Sequence, residues 1–402
     1  MSTTYSVYLP NYSVGPDCYE AIPSVTARYG KKVVIIGGKT ALSKAQDAIL
    51  AAVKGHLDVT AVLWYGGNST YENVDMLMNT KEVQEADMVF AVGGGRAVDC
   101  CKTMADKMGK PVFTFPTIAS NCAACTAICV MYKQDGSLAG YYYPKHCAEH
   151  TFINTKIIAE APEKLLWAGI GDALSKECEV LIATEGKKLL NTPLLGRALA
   201  GACTSPLFEY GKQALADCKN NVVSEAIQEV ALDIIMSTGI VSNLTTTEND
   251  YYYNSSLGHC FYNAYTGLAC AERHMHGEVV SFGVIVLLTC DKQFELRDKI
   301  AKFNKELGLP VSLKELEVDE AGLEKILDRA PAILEWKKTP YEMTREKFKQ
   351  AILDATLTAK PCNKHIKQKS AFTGGFFYAL VDFAALYFVF KVPASLLYAP
   401  AA

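Results

Sequence analysis

The first 116 residues alternate short β-branched runs with helical stretches, and this alternation narrows the fold more than any other feature of the chain. Lys32–Gly37 (KVVIIG) is an apolar run that meets a second glycine, Gly38, the pattern of a fully buried strand entering a turn. Residues 40–54 then carry apolar positions at helical spacing, with Thr40 as the expected N-cap. Val59–Tyr65, Met88–Val92 and Val112–Phe115 repeat the strand pattern, separated by helical stretches around 74–78 and 97–108. Strands connected through helices predict parallel βαβ units and a doubly wound sheet. Val130–Tyr143 departs from this, since Asp135-Gly136 between two apolar runs predicts a hairpin.

Beyond Ile157 strand signals nearly vanish, and helical spacing dominates from Glu163 to about Ala355. The expected fold is therefore α/β followed by all-α, with the boundary near residues 154–162. It divides into an α/β domain over 1–157 and a helical domain over 158–370. A length of 402 residues suits two cores. Residues 371–402 form an atypical apolar tail whose only charges are Asp382 and Lys391. Its length approaches that of a membrane span, but a carboxylate mid-stretch is costly there. A docked helix or a non-native tail is favoured over an anchor.

Composition excludes several function classes. A net charge of −3 with 21% charged residues gives no basic surplus for nucleic acid. The N-terminus, MSTTYS, lacks the basic start and apolar run of a secretory leader. The fourteen cysteines then read as reduced thiols in a cytoplasmic protein. Cys122, Cys125 and Cys129 form a trio with no second pair at ligand spacing, so they read as packing residues of an apolar helix, not as a zinc module.

Two motif groups carry chemistry. Gly93-Gly94-Gly95-Arg96-Ala97 sits between one strand and one helix. Glycines there let the backbone approach a diphosphate while the helix N-terminus offers free N–H groups. The alternative is a tight strand–helix turn. Thr117 and Ser120 follow the next strand, where α/β sheets place ligands; their alternative role is to cap a following helix. The second group is a carboxylate and imidazoles. Three of the seven histidines fall between 259 and 276, and Asp172 follows Gly171 at the expected start of an apolar helix. One carboxylate with two imidazoles and an open position suits catalytic Zn²⁺ or Fe²⁺, although Asp172 also reads as an N-cap.

The order GGGRAVD (93–99), PTIAS (116–120), AGIGDALSK (168–176), GH (258–259) and HMHGEVVSFG (274–283) resembles the glycerol dehydrogenase branch of the iron-containing alcohol dehydrogenases. The resemblance covers roughly residues 31–352. It implies the dehydroquinate synthase-like fold, a soluble homo-oligomer, NAD or NADP, one divalent metal, and a small alcohol or carbonyl substrate, with no nucleic acid and no membrane. It assigns the metal to Asp172, His259 and His276. Gly94, Gly95, Arg96 and Ala97 fall on the diphosphate, Thr117 and Ser120 on the adenosine half, and Thr126, Ile128 and Tyr132 beside the nicotinamide.

Three departures refine that expectation. Glycerol dehydrogenases carry Asp where this chain has Cys122, and a thiol cannot accept two polyol hydroxyls. Reduction of a 2-oxo acid or aldehyde is thus favoured over glycerol oxidation, with a polyol dehydrogenase as the alternative. A second His common in the family is Tyr262 here. Gly38 replaces the Asp of NAD-selective members, and Lys39 beside it suits a 2′-phosphate. A lyase of the dehydroquinate synthase type is the alternative from another class, for which Lys145 and Arg273 are the candidate phosphate-binding cations.

Overall fold

A computed structural model describes residues 5–357; the apolar tail at 371–402 lies outside them. Six strands form one all-parallel sheet: β1 (Tyr12–Gly15), β2 (Lys32–Gly37), β3 (Asp58–Trp64), β4 (Met88–Gly93), β5 (Val112–Pro116) and, after a hairpin of β6 (Cys129–Tyr132) and β7 (Leu138–Tyr142), β8 (His150–Asn154). Their order is β1-β8-β5-β4-β2-β3.

The apolar runs behave as their composition requires. Every residue of β4 and β5 is buried, because helices cover both faces of the sheet. Side chains alternate across it. Val33, Ile35, Phe90 and Val92 pack with Leu42, Ala45 and Ile49 of helix α1 (Lys39–Val53). Val34, Ile36, Val89 and Ala91 pack with Cys100, Cys101 and Met104 of helix α2 (Gly95–Met108). The chain reverses direction across the sheet at β2, with β3 on one side and β4 on the other. That switch point is where doubly wound sheets open a ligand crevice at the strands' carboxyl ends.

The second half is helical. Three helices matter most: α3 (Glu163–Ala183), α4 (Leu257–Tyr265) and α5 (His276–Cys290). From Val279 to Thr289 every residue of α5 is buried, as expected of a helix that is apolar all round and serves as a spine. Residues of the two halves share one cluster, in which Ala119, Cys125 and Ile153 pack with Ile170, Leu174 and Ile234. No helix among the described residues is long and apolar enough to cross a membrane.

Several local expectations need correction. Helix α1 starts at Lys39 with extended Gly38 as its N-cap, so Thr40 lies inside the first turn. Asp172 lies in the middle of α3, not at a helix start, which removes the N-cap reading. The cysteine trio is not helical: Cys122 and Cys125 lie in the turns after β5, and Cys129 starts β6. The described cysteines carry no disulfide. Strands β1 and β8 were not expected. β1 is a four-residue edge strand, and His150 and Asn154 at the ends of β8 mask its apolar centre.

Candidate functional site

Glycines beside the candidate ligands let three helices approach backbone to backbone. A Cβ on Gly277 would lie 1.8 Å from the Ala168 carbonyl oxygen of α3, and one on Gly171 would lie 2.4 Å from the Gly277 oxygen. One on Gly283 would lie 2.4 Å from the Gly258 oxygen of α4. Gly171, Gly258 and Gly277 are the sequence neighbours of Asp172, His259 and His276, so close packing and convergence have one cause.

The candidate ligand atoms of these three residues lie within 4.8 Å of one another. Asp172 Oδ1 is 2.9 Å from His276 Nε2 and 3.6 Å from His259 Nε2. Despite those distances Oδ1 is buried with no hydrogen bond, so neither ring presents an N–H to it in bonding geometry. Tetrahedral bonds of about 2 Å require donor separations of about 3.3 Å, which the two distances bracket. A carboxylate and two imidazoles facing one point fit a divalent ion with an open position.

A residue that sequence reasoning missed orients this cluster. Glu179, two turns beyond Asp172 on α3, is fully buried. Its Oε2 lies 2.6 Å from His259 Nδ1, and its Oε1 accepts the backbone N–H groups of His259 and Ser256, each at 2.9 Å. Those bonds turn His259 Nε2 toward Asp172. Burial alone would lower the His259 pKa, but the Glu179 and Asp172 carboxylates override it and raise it to about 10. The signal was present as the i, i+7 spacing within AGIGDALSKECE.

The nucleotide candidates gather at the β2/β4 switch point. A Cβ on Gly93 would stand 3.8 Å from the Gly38 nitrogen, and Gly93 has φ +144, a conformation open to glycine. Gly94 is the N-cap of α2, so Gly95 and Arg96 open its first turn with N–H groups free of helical partners, while Ala97 donates its N–H to the Gly94 oxygen at 3.1 Å. A Cβ on Gly94 would stand 2.7 Å from Ile118 Cδ1, the end of a side chain that would have to turn aside. The buried Thr117 donates its N–H to the Gly93 oxygen at 3.4 Å. Ser120 stands in the turns beyond, where no helix follows for it to cap. Lys39 holds its ammonium 4.7 Å above the exposed Trp64 ring.

Thr126 and Ile128 are held by a buried pair. Lys102 of α2 donates to the carbonyl oxygens of Ala123, Thr126 and Ile128 at 2.6, 2.9 and 3.0 Å, and lies 3.1 Å from Asp99. Arg96 stacks over Tyr132 at 4.9 Å. Tyr262, which occupies the place of the second family histidine, packs edge-on against His276 with ring centroids 4.2 Å apart. Its buried phenol, raised by desolvation, also feels Tyr132, Arg96 and Asp172. A Cβ on Gly95 would stand 3.0 Å from Asn121, and one on Gly169, three residues before Asp172, 2.2 Å from the Ala119 oxygen, so the 119–121 turn joins the nucleotide candidates to the metal candidates across one cleft.

Cys122 is half-buried in that cleft, and burial raises its thiol pKa, so it is uncharged near neutrality. The candidate phosphate-binding cations are elsewhere. Lys145 and Arg273 are both exposed, and Arg273 is ion-paired with Glu317.

Residues 10–155 match the family described as iron-containing alcohol dehydrogenase. The chain is 29% identical over 319 residues to a glycerol dehydrogenase of Escherichia coli O6:H1, covering 77% of this chain and 83% of that one. It is 30% identical over 300 residues to hydroxycarboxylate dehydrogenase A of Escherichia coli K12, covering 74% and 81%. The crystal structure of glycerol dehydrogenase from Schizosaccharomyces pombe superposes with a TM-score of 0.79 at 23% identity, over 89% of this chain and 92% of that one.

Proposed function

This chain belongs to the iron-containing alcohol dehydrogenase family, on its glycerol dehydrogenase-like branch, and from that premise we propose that it is a metal-dependent, NAD(P)-linked oxidoreductase that interconverts a 2-hydroxy acid or small alcohol with its carbonyl compound. The convergence of Asp172, His259 and His276 carries the reading. When bound, the nicotinamide exchanges a hydride with the substrate carbon while the divalent metal polarises the substrate oxygen.

The chain's own residues do the rest. Asp172, His259 and His276 would hold the ion, and Glu179 keeps the metal-facing nitrogen of His259 in position. The free N–H groups at the start of α2 would receive the diphosphate, and Lys39 would receive a 2′-phosphate, for which Gly38 provides no opposing charge. Lys102 fixes the backbone of Thr126 and Ile128 at the nicotinamide end. Domains spanning 1–157 and 158–370 would divide the labour, the first holding coenzyme and the second metal.

Substrate preference rests on Cys122. A carboxylate at that position would repel an acid substrate; two such charges about 5 Å apart at an effective dielectric of about 20 cost about 3 kcal/mol. The neutral thiol removes that barrier. Oxidation of glycerol or another polyol is the second reading, favoured by the similarity to glycerol dehydrogenases.

A panel of polyols, alcohols, aldehydes and 2-oxo acids with NADH and NADPH, or their oxidised forms, tests both readings. Reduction of a 2-oxo acid is expected, with NADPH accepted at least as well as NADH. Cys122→Asp should depress that turnover on the order of 100-fold and spare any polyol oxidation. Efficient glycerol oxidation with no 2-oxo acid reduction would remove the acid preference. A strong preference for NADH would remove the Lys39 role alone.

A further inference from the structure

Two lysines are buried among the described residues, Lys102 at 1% and Lys176 at 6% exposure, and they are treated differently. Lys102 is matched by Asp99 at 3.1 Å. Among the described residues, Lys176 has no carboxylate within ion-pair distance and its ammonium meets only Asn254, 2.5 Å from Oδ1 and 3.5 Å from the backbone oxygen. A buried ammonium satisfied by a neutral amide alone leaves a desolvation cost that an arriving anion would offset.

The position of Lys176 gives this vacancy of charge a use. It lies four residues beyond Asp172 on α3, on the same helix face and about 6 Å along the axis. Asn254 is two residues before Ser256, whose N–H is bound to the same Glu179 carboxylate that holds His259. The ammonium is therefore anchored at the junction of the two helices that supply Asp172 and His259. Of the charged groups acting on the Cys122 thiol, Lys176 is the strongest, ahead of Asp172. Cys122 also packs against the core cluster that holds Ala173 and Leu174, the residues that follow Asp172 on α3, which sets the thiol beside this stretch of helix.

We propose that Lys176 seats the carboxylate of the substrate, so that the carbonyl oxygen is directed to the Asp172–His259–His276 cluster while the ammonium selects 2-oxo and 2-hydroxy acids over neutral alcohols. The proposal deepens the oxidoreductase reading above and rests on it for the cleft. It also gives Cys122 a physical role: a carboxylate at that position would neutralise Lys176, and a thiol leaves its charge available.

Binding of a non-reacting analogue tests the seat without relying on turnover. Metal-loaded protein saturated with NADPH is titrated calorimetrically with oxamate, a 2-oxo acid analogue, and with its uncharged counterpart oxamide. A charge-assisted hydrogen bond should make wild type prefer oxamate by about 10- to 100-fold. Lys176→Met should abolish that preference while leaving metal content unchanged and without lowering the melting temperature, and Lys176→Arg should keep most of it. Asn254→Asp, which places a carboxylate against the ammonium, should also abolish it and serves if Lys176→Met does not fold. Equal affinity for the two probes in wild type overturns the proposal, as does a folded, metal-loaded Lys176→Met or Asn254→Asp variant that keeps the oxamate preference. If the preference behaves as expected but no 2-oxo acid is reduced, the anion seat stands and the substrate reading fails.

Discussion

Glu179 shows how much a single side chain contributes without touching substrate. Its carboxylate spends three contacts on His259 and Ser256, and partners of this kind typically alter metal affinity by 10- to 100-fold. Glu179→Gln should therefore weaken zinc or iron binding by about that factor, with the far-ultraviolet circular dichroism spectrum retained; unchanged affinity in a chelator competition would show that His259 orients itself. Asp233 acts at the same scale on stability. It is 1% exposed, and burial pushes its carboxyl up to about 8. The folded chain thus keeps a proton that the unfolded chain releases above about pH 4. Folding stability is lost as pH rises from about 4 to about 8, and changes no further from this group above that. Asp233→Asn should flatten that slope and raise the melting temperature at pH 8 relative to wild type. A variant with the wild-type slope would assign the pH dependence to other groups.

At the scale of elements, the site depends on how closely α3, α4 and α5 cross. Gly277→Ala puts a methyl group 1.8 Å from a backbone oxygen, which no side-chain rotation relieves. Overpacking of this kind usually costs about 1–3 kcal/mol. The variant should melt earlier and lose metal even though His276 itself is intact; wild-type metal affinity would mean the helices do not need that spacing. These elements also explain what the sequence did and did not reveal. The buried strands β2, β4 and β5 were legible because short runs of β-branched and aromatic residues between helices have few other uses. The helix start at Lys39 was misread because Gly38, without a capping side chain, outcompeted Thr40 through its extended backbone. Asp172, His259 and His276 were legible through their motifs, whereas Lys176, the last residue of the 168–176 motif, and Glu179, three residues beyond it, were not singled out. Their burial is set by the helices that cover them, not by their neighbours in sequence.

For the whole molecule, the arrangement is one cleft served by two kinds of architecture. The sheet's switch point brings Gly38, Lys39 and the glycine loop to one edge. The glycine-packed helices bring a carboxylate and two imidazoles to the other, and Tyr262 stands between. Neither half would suffice alone for a hydride exchange assisted by a metal. The central claim is that Asp172, His259 and His276 hold the ion on which turnover depends. Its most direct test is a titration of zinc or iron into chelator-stripped protein, following coenzyme oxidation with the best carbonyl substrate of the panel. One equivalent should restore activity to wild type, and His259→Ala, still folded, should neither retain the ion nor recover. Full activity in the stripped protein, or in metal-free His259→Ala, would contradict it.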